Sequence, residues 1–231
     1  PKAAKAADQY PVGRLLMKGT IAWQNDPDWP HSVPQIEIDL DRTALLVVDM
    51  QNPDNYGEVG DNCEKLLDFF RANGMENIYL RVGFFLEDRR DMHPKRADSW
   101  LRKADGTAIG RVRGSKEHAI VERLSPKDGE MVIDKNSTSA FNSSSIESYL
   151  HARQIENLVV CGTATNHCVD NTARGAVDRG YNVIMVDDAC QDHTARFQEA
   201  TMRNFRRDLG AVKNTDELIG ELGEIANAQG A

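Results

Sequence analysis

Apolar residues along the chain fall into short unbroken runs, and the runs are separated by stretches with a helical period. Ala44–Met50 reads ALLVVDM and carries Asp49 at its end; Asn77–Phe85, Glu130–Asp134, Asn157–Cys161 and Asn182–Val186 repeat the theme, and Ala211–Lys213 is a short last strand. Continuous apolar runs are what strands buried on both faces require. Between them, Asn62–Ala72 places Leu66, Leu67, Phe69 and Phe70 on one face and is followed by Gly74, the pattern of an amphipathic helix with a glycine stop. Glu117–Leu124, Ser144–Arg153, His167–Arg179, Thr194–Leu209 and Thr215–Ala226 read as further helices. Strands alternating with helices predict one α/β domain over residues 41–231, a parallel sheet covered on both faces by right-handed crossovers.

Two stretches break this rhythm. Residues 1–40 place Trp23, Trp29, Pro30 and Pro34 among Asn, Asp and Gly. They predict an irregular N-terminal arm packed on the surface or on a neighbouring subunit, and so a homodimer or homotetramer, because large aromatics of this kind are favoured at interfaces. Leu86–Lys116 is charged and aperiodic, with one short helix expected near Ser99–Lys103; a connection this long is functional or disordered.

Charge narrows the partners. The 231 residues carry 28 Lys+Arg against 36 Asp+Glu, a net of -8, and an acidic chain gains no counterion-release affinity for nucleic acid. No apolar run approaches the roughly 20 residues that span a bilayer, and Pro1–Tyr10 lacks the apolar core of a secretion signal. The expected setting is the cytoplasm, with neither nucleic acid nor membrane as partner. The four cysteines, Cys63, Cys161, Cys168 and Cys190, then read as reduced thiols without zinc-type spacing.

The chemistry gathers at strand ends, where ligands bind in open α/β sheets. Asp49 closes the first core strand, Lys135 follows the third, and Cys168 follows the fourth after the turn Gly162–His167. At the start of a helix, exposed N–H groups favour a thiolate and a developing oxyanion. A partly desolvated Asp49 suits a proton carrier, and Lys135 is expected to lower the thiol pKa. For each residue a plain structural role is also open: a buried cysteine, a turn-capping aspartate, a solvated lysine. Together they describe a thiol, a base and a cation. His167 is read as pocket wall, since neighbours on a helix do not face each other, and His93 and His193 are further candidate bases. Asp91 and His93 with Asp49 are too sparse for a metal site. Gly83, Gly106, Gly110 and Gly114 do not form a phosphate loop after the first strand. No metal and no cofactor is expected.

The motifs ALLVVDMQN around Asp49, VIDKNSTSAF around Lys135 and VVCGTATNHCV ending at Cys168, in that order over residues 43–212, resemble the isochorismatase-like cysteine hydrolase superfamily. The resemblance implies a six-stranded parallel sheet in a Rossmann-like three-layer sandwich. It implies Cys168 as nucleophile, Asp49 as general base and Lys135 as third member. It also implies a cis peptide at Thr163–Ala164 that aims the N–H groups of Ala164 and Cys168 at an oxyanion. Members of the family cut small amides and ureides such as ureidoacrylate, N-carbamoylsarcosine, biuret and nicotinamide; others cleave the vinyl ether of isochorismate, generally without the cysteine. The expected function is therefore a cysteine-dependent amidohydrolase acting through an acyl-enzyme. A vinyl-ether hydrolase, a nicotinamidase and a non-catalytic binding module on the same fold are the alternatives. The stretch RVGFFLEDRRDMHPK does not reproduce the metal-binding residues of the nicotinamidase branch. Arg81, Glu87, Arg89 and Arg90, with Asn166 and His167, are the candidate substrate ligands.

Overall fold

The computed structural model describes residues 17–23, 35–96 and 111–228. Six strands form its central sheet: β3 (Thr43–Val48), β4 (Glu76–Val82), β5 (Met131–Lys135), β6 (Asn157–Thr163), β7 (Asn182–Gln191) and β8 (Ala211–Lys213). Their spatial order is β5-β4-β3-β6-β7-β8, and every pairing is parallel. The expected single α/β domain with a six-stranded parallel sheet is the fold observed. All six residues of β3 are buried, which explains its unbroken apolar run.

Alternation along the strands sorts the core into two layers. Leu45, Val47, Tyr79, Val159 and Ile184 face α1 (Glu58–Ala72) and the closing helix Thr215–Asn227, which bring Leu66, Leu67, Phe70, Leu218 and Leu222. Leu46, Val48, Leu80, Ile133, Val160 and Met185 face the opposite layer. That layer is built by α2 (Ala140–Ser143), α3 (Ile146–Ala152), α4 (Asp170–Val177) and α5 (Ala195–Asp208); the closing helix is α6. Burying one such aliphatic side chain is worth about 1.5–3 kcal/mol, so the two layers supply the main force that holds the sheet. The chain moves outward from β3 to β4 to β5, returns to β6 beside β3, then moves outward the other way. Strand order therefore reverses between β3 and β6, and a crevice opens at their carboxyl ends.

Several elements differ from the sequence reading. Within residues 1–40, β1 (Lys18–Ala22) and β2 (Gln35–Asp39) pair antiparallel. They are anchored by Ile21, Ile36 and Ile38, which are buried in the domain's own core. Trp23, expected to reach a neighbour, packs against that same core and donates its Nε1–H to the carbonyl of Arg206. Trp29, Pro30 and Pro34 and the short helix expected near Ser99–Lys103 lie outside the described residues. The expected helix over Glu117–Leu124 is two 3-10 turns, Lys116–His118 and Glu122–Leu124. Between them Ile120 bridges to Gln51, and Val121 donates to the carbonyl of Met50 at 3.0 Å; these tertiary pairings win over a weak helical period. Finally, β7 runs past Val186 to Gln191, because an irregularity in register lets Cys190 and Gln191 pair with Gly162 and Thr163.

Candidate active site

The carboxyl end of β3 is shaped by one backbone angle. Along β3, Val47 faces the α1 layer and Val48 the α4 layer, so strict alternation would turn Asp49 toward α1. Instead Asp49 has φ 53°, a left-handed conformation that costs a non-glycine residue about 1–3 kcal/mol. The surroundings impose it. Asp49 N–H donates to the carbonyl of Leu80 at 2.9 Å, and Gln51 N–H returns to the carbonyl of Asp49 at 2.8 Å. Tyr56 Oη donates to the carbonyl of Gln51 at 2.6 Å. The fully buried Gln51 side chain accepts from Val82 N–H at 3.0 Å and donates to the carbonyls of Val82 and His118 at 3.1 and 2.9 Å. Gln51 thus extends the β4 ladder with a side-chain amide and pins the turn after Asp49. Neither Gln51 nor Tyr56 is singled out by sequence reasoning. The available signal is a polar glutamine placed directly beside ALLVVDM.

Lys135 ends β5 and is fully buried; its Nζ donates to Asp49 Oδ2 at 2.8 Å and to the carbonyl of Ser137 at 3.1 Å. Burial opposes its charge, but the Asp49 carboxylate and the nearby Cys168 thiol outweigh it, and the pKa is raised. Lys135 stays an ammonium ion. Asp49 is 1 % exposed, and its Oδ1 is buried with no hydrogen-bond partner among the described residues.

Cys168 is brought to this pair by β6. At Gly162 a Cβ would fall 2.1 Å from the carbonyl oxygen of Val48, and φ there is 121°, so only glycine lets β3 and β6 approach so closely. The Thr163–Ala164 peptide is cis. A five-residue π-helical turn, Thr165–Val169, then leads into α4, and the carbonyl of Ala164 accepts from the N–H groups of His167 and Val169 at 3.0 and 3.3 Å. The nucleophile candidate is therefore the fourth residue of a π turn and not the opening residue of an α-helix. Burial and the Asp49 charge push the Cys168 thiol up to about 12, with Lys135 opposing them only in part. This reverses the expectation of a resting thiolate: desolvation and a facing carboxylate keep the proton on sulfur.

The isochorismatase domain model matches residues 43–217 of the chain. The chain belongs to the isochorismatase family. Ureidoacrylate amidohydrolase RutB of Agrobacterium fabrum is 31% identical over 223 residues, covering 85% of this chain and 97% of that protein. RutB of Acinetobacter baylyi is 29% identical over 212 residues, covering 80% and 85%. Among solved structures, a cysteine hydrolase from Pseudomonas syringae pv. phaseolicola superposes with a TM-score of 0.70 at 26% identity, covering 81% of this chain and 95% of that one. These relatives make this isochorismatase-family protein an amidohydrolase, a hydrolase of C–N bonds.

The other candidate residues of this isochorismatase-family chain are placed differently. Arg81 alternates with Leu80 and Val82, and so shares the face of Tyr79, away from Lys135. There it is bound to Asp134 Oδ1 at 2.7 Å. Arg81 is therefore turned to the face opposite Lys135, where Asp134 holds it. Arg89 lies over the Phe84 ring at 4.8 Å, Arg90 pairs with Asp88 at 3.4 Å, and Glu87 is exposed; these contacts stay within the loop after β4. Asn166 gives its backbone N–H to Asp192 Oδ2 at 2.7 Å, and His167 is exposed, as are His93 and His193. Asp91 ties that loop to the site, accepting from Phe85 N–H at 2.9 Å while its carbonyl accepts from Asn136 Nδ2 at 2.8 Å. Among the described residues no three His, Cys, Asp or Glu side chains group as metal ligands, and no helix is long and apolar enough to cross a membrane. Cys161 and Cys190 are buried thiols held well above the ordinary range, Cys161 mainly by its contact with Cys63 and Cys190 by burial.

Proposed function

We propose that the protein hydrolyses a C–N bond of a small ureide through a covalent acyl-enzyme on Cys168, with Asp49 as proton carrier and Lys135 as its fixed counter-charge. The observation that carries this reading is the open oxygen of Asp49. Its Oδ2 is held by Lys135, its Oδ1 is buried with no hydrogen-bond partner among the described residues, and the carboxylate is close enough to raise the pKa of the Cys168 thiol. A base so arranged takes the proton when sulfur attacks, and no free thiolate need accumulate.

The steps follow from the residues. Asp49 accepts the Sγ proton as the sulfur bonds to the substrate carbonyl carbon. The carbonyl oxygen becomes an oxyanion facing the N–H groups of Ala164 and Cys168. Asp49 then gives its proton to the departing nitrogen, the C–N bond breaks, and an amine or ammonia leaves a thioester on Cys168. Water, deprotonated by Asp49, attacks the thioester, and the proton returns to sulfur. Lys135 remains charged throughout and holds Asp49 in place. Kinship with the RutB proteins, which are named for ureidoacrylate, favours a ureido acid as substrate.

Ammonia release measured over a panel of ureides, primary amides and nicotinamide tests the substrate class, with turnover expected on the ureides. Cys168→Ala is expected to keep the fold and to lower kcat by more than about a hundredfold, roughly 2.7 kcal/mol in barrier. A variant that retains more than about a hundredth of wild-type kcat overturns covalent catalysis.

A further inference from the structure

The turn that carries Cys168 is not held by the three motifs alone. A π-helical turn is an uncommon, locally strained piece of helix, and here its first two residues are tethered from outside. Thr165 is fully buried, and its hydroxyl meets Gln198 Oε1. Asn166 gives its N–H to Asp192 Oδ2 at 2.7 Å. Both partners come from the segment that runs from β7 into α5.

Gln198 is placed by its helix. Thr194 caps α5, accepting from Phe197 N–H, and Gln198 N–H donates to the carbonyl of Thr194 at 3.2 Å. Residues 198, 201, 202 and 205 share one face, and Thr201, Met202 and Phe205 on it are buried. The amide at 198 is thereby directed inward. Its Nε2 donates to Asp187 Oδ1 at 2.6 Å and to the carbonyl of Asp187 at 3.0 Å. A carboxylate and a carbonyl only accept, so the amide cannot flip; Oε1 must face Thr165, and the Thr165 hydroxyl must donate. A directed chain results, from Asp187 on β7 through Gln198 to the first residue of the nucleophile turn.

We propose that Gln198 is a positioning residue for the reaction, setting the register of the turn Thr165–Val169 against Asp49. Its side chain meets Thr165 and Asp187, and it acts through Thr165. This inference rests on the reading of Cys168 as nucleophile. Displacing a reacting group by about an ångström costs on the order of a hundredfold in rate, so a small movement of the turn matters even where the fold survives.

The test is a charge-and-donor swap. Gln198→Glu keeps the acceptor toward Thr165 but sets a second carboxylate against Asp187. Adding Asp187→Asn restores a donor to that pair. Gln198→Leu and Gln198→Glu are expected to lower kcat by about 10- to 100-fold, with KM changed less than about threefold and slower alkylation of Cys168 by iodoacetamide at fixed pH. The double variant Gln198→Glu with Asp187→Asn is expected to recover part of both losses, because the backbone carbonyl of residue 187 still faces a carboxylate oxygen. Wild-type kcat and alkylation in Gln198→Leu overturn the proposal, and so does a double variant no better than Gln198→Glu. Turnover that survives Cys168→Ala, measured alongside, instead overturns the nucleophile assignment.

Discussion

Asp134 and Lys135 are consecutive on β5 and point to opposite faces of the sheet; Lys135 belongs to a fully buried ion pair and Asp134 to a partly exposed one. On one face Asp134 is saturated. Arg81 bonds its Oδ1 at 2.7 Å, Arg113 its Oδ2 at 3.0 Å, and His118 Nε2 stands 3.5 Å from Oδ1. Burial and the Arg81 charge lower the His118 pKa, which leaves that ring neutral. On the other face Lys135 bonds one oxygen of Asp49, the second has no hydrogen-bond partner among the described residues, and the carboxylate raises the pKa of the nearby Cys168 thiol. The buried Lys135 and Asp49 are paired, as interior charges must be, and Asp134 is paired with arginines that reach solvent. The difference is the open acceptor. Both oxygens of Asp134 meet cations, whereas Oδ1 of Asp49 has no hydrogen-bond partner among the described residues.

The sharpest way to break this contrast is to neutralise each carboxylate in turn. Asp49→Asn keeps size but removes the basic oxygen, and kcat/KM is expected to fall by about 10²–10⁴-fold, the usual range for general acid–base groups. Asp134→Asn is expected to leave kcat/KM within about tenfold of wild type while lowering stability by about 1–3 kcal/mol in urea titrations. An Asp134→Asn enzyme as impaired as Asp49→Asn would erase the distinction between the two faces.

Lys135→Met sharpens the comparison from the cation's side. Lys135 is the group that lowers the Cys168 pKa against burial and Asp49. Without it the pH profile for alkylating Cys168 is expected to move upward, and labelling at pH 8 to slow by about tenfold, the change that a one-unit rise in thiol pKa produces. An unchanged profile would mean that Lys135 does not act on the thiol.

The smallest expected effect concerns stability and pH. Cys168, Cys161 and Cys190 hold their protons more tightly in the folded protein than the usual thiol does. Folded protein therefore binds more protons than unfolded chain at alkaline pH, and stability falls with rising pH. The contribution is complete below the unfolded thiol pKa of about 8.5 and declines as pH rises past it. Urea midpoints at pH 7, 8.5 and 10 should decrease in that order; a midpoint that rises from pH 8.5 to 10 would contradict buried neutral thiols.

What was legible in the chain follows from how local each signal is. A strand buried on both faces writes itself as ALLVV, so β3 and its parallel neighbours could be read directly. Asp49, Lys135 and Cys168 stood out because each interrupts or follows such a run. The face of Arg81 is also readable: alternation with Leu80 and Val82 sets it opposite Lys135, beside Asp134. Other features depend on contacts between distant segments and leave no periodic trace. The tail of β7, with polar Asp187 and Asp188, is a strand only because β6 pairs with it. The β1–β2 ribbon needs its two halves together and a glycine against α6, where a Cβ on Gly19 would strike Ile225 at 2.3 Å. Gln51 and Gln198 work through hydrogen bonds to residues 31 and 33 positions away.

The strand order carries one more consequence. Asp49 and Lys135 arrive on the half-sheet β5-β4-β3, and Cys168 arrives behind β6, the first strand of the half-sheet β6-β7-β8. Neither half holds the complete set. The seam between them is narrow at Gly162, with backbone against backbone and no side chain to act as a spacer. Under the proposed mechanism, turnover requires that the two halves dock in register, and activity would serve as a reporter of assembly. A chain divided between α3 and β6 would be expected to stay silent as separate pieces and to regain activity only when they are recombined.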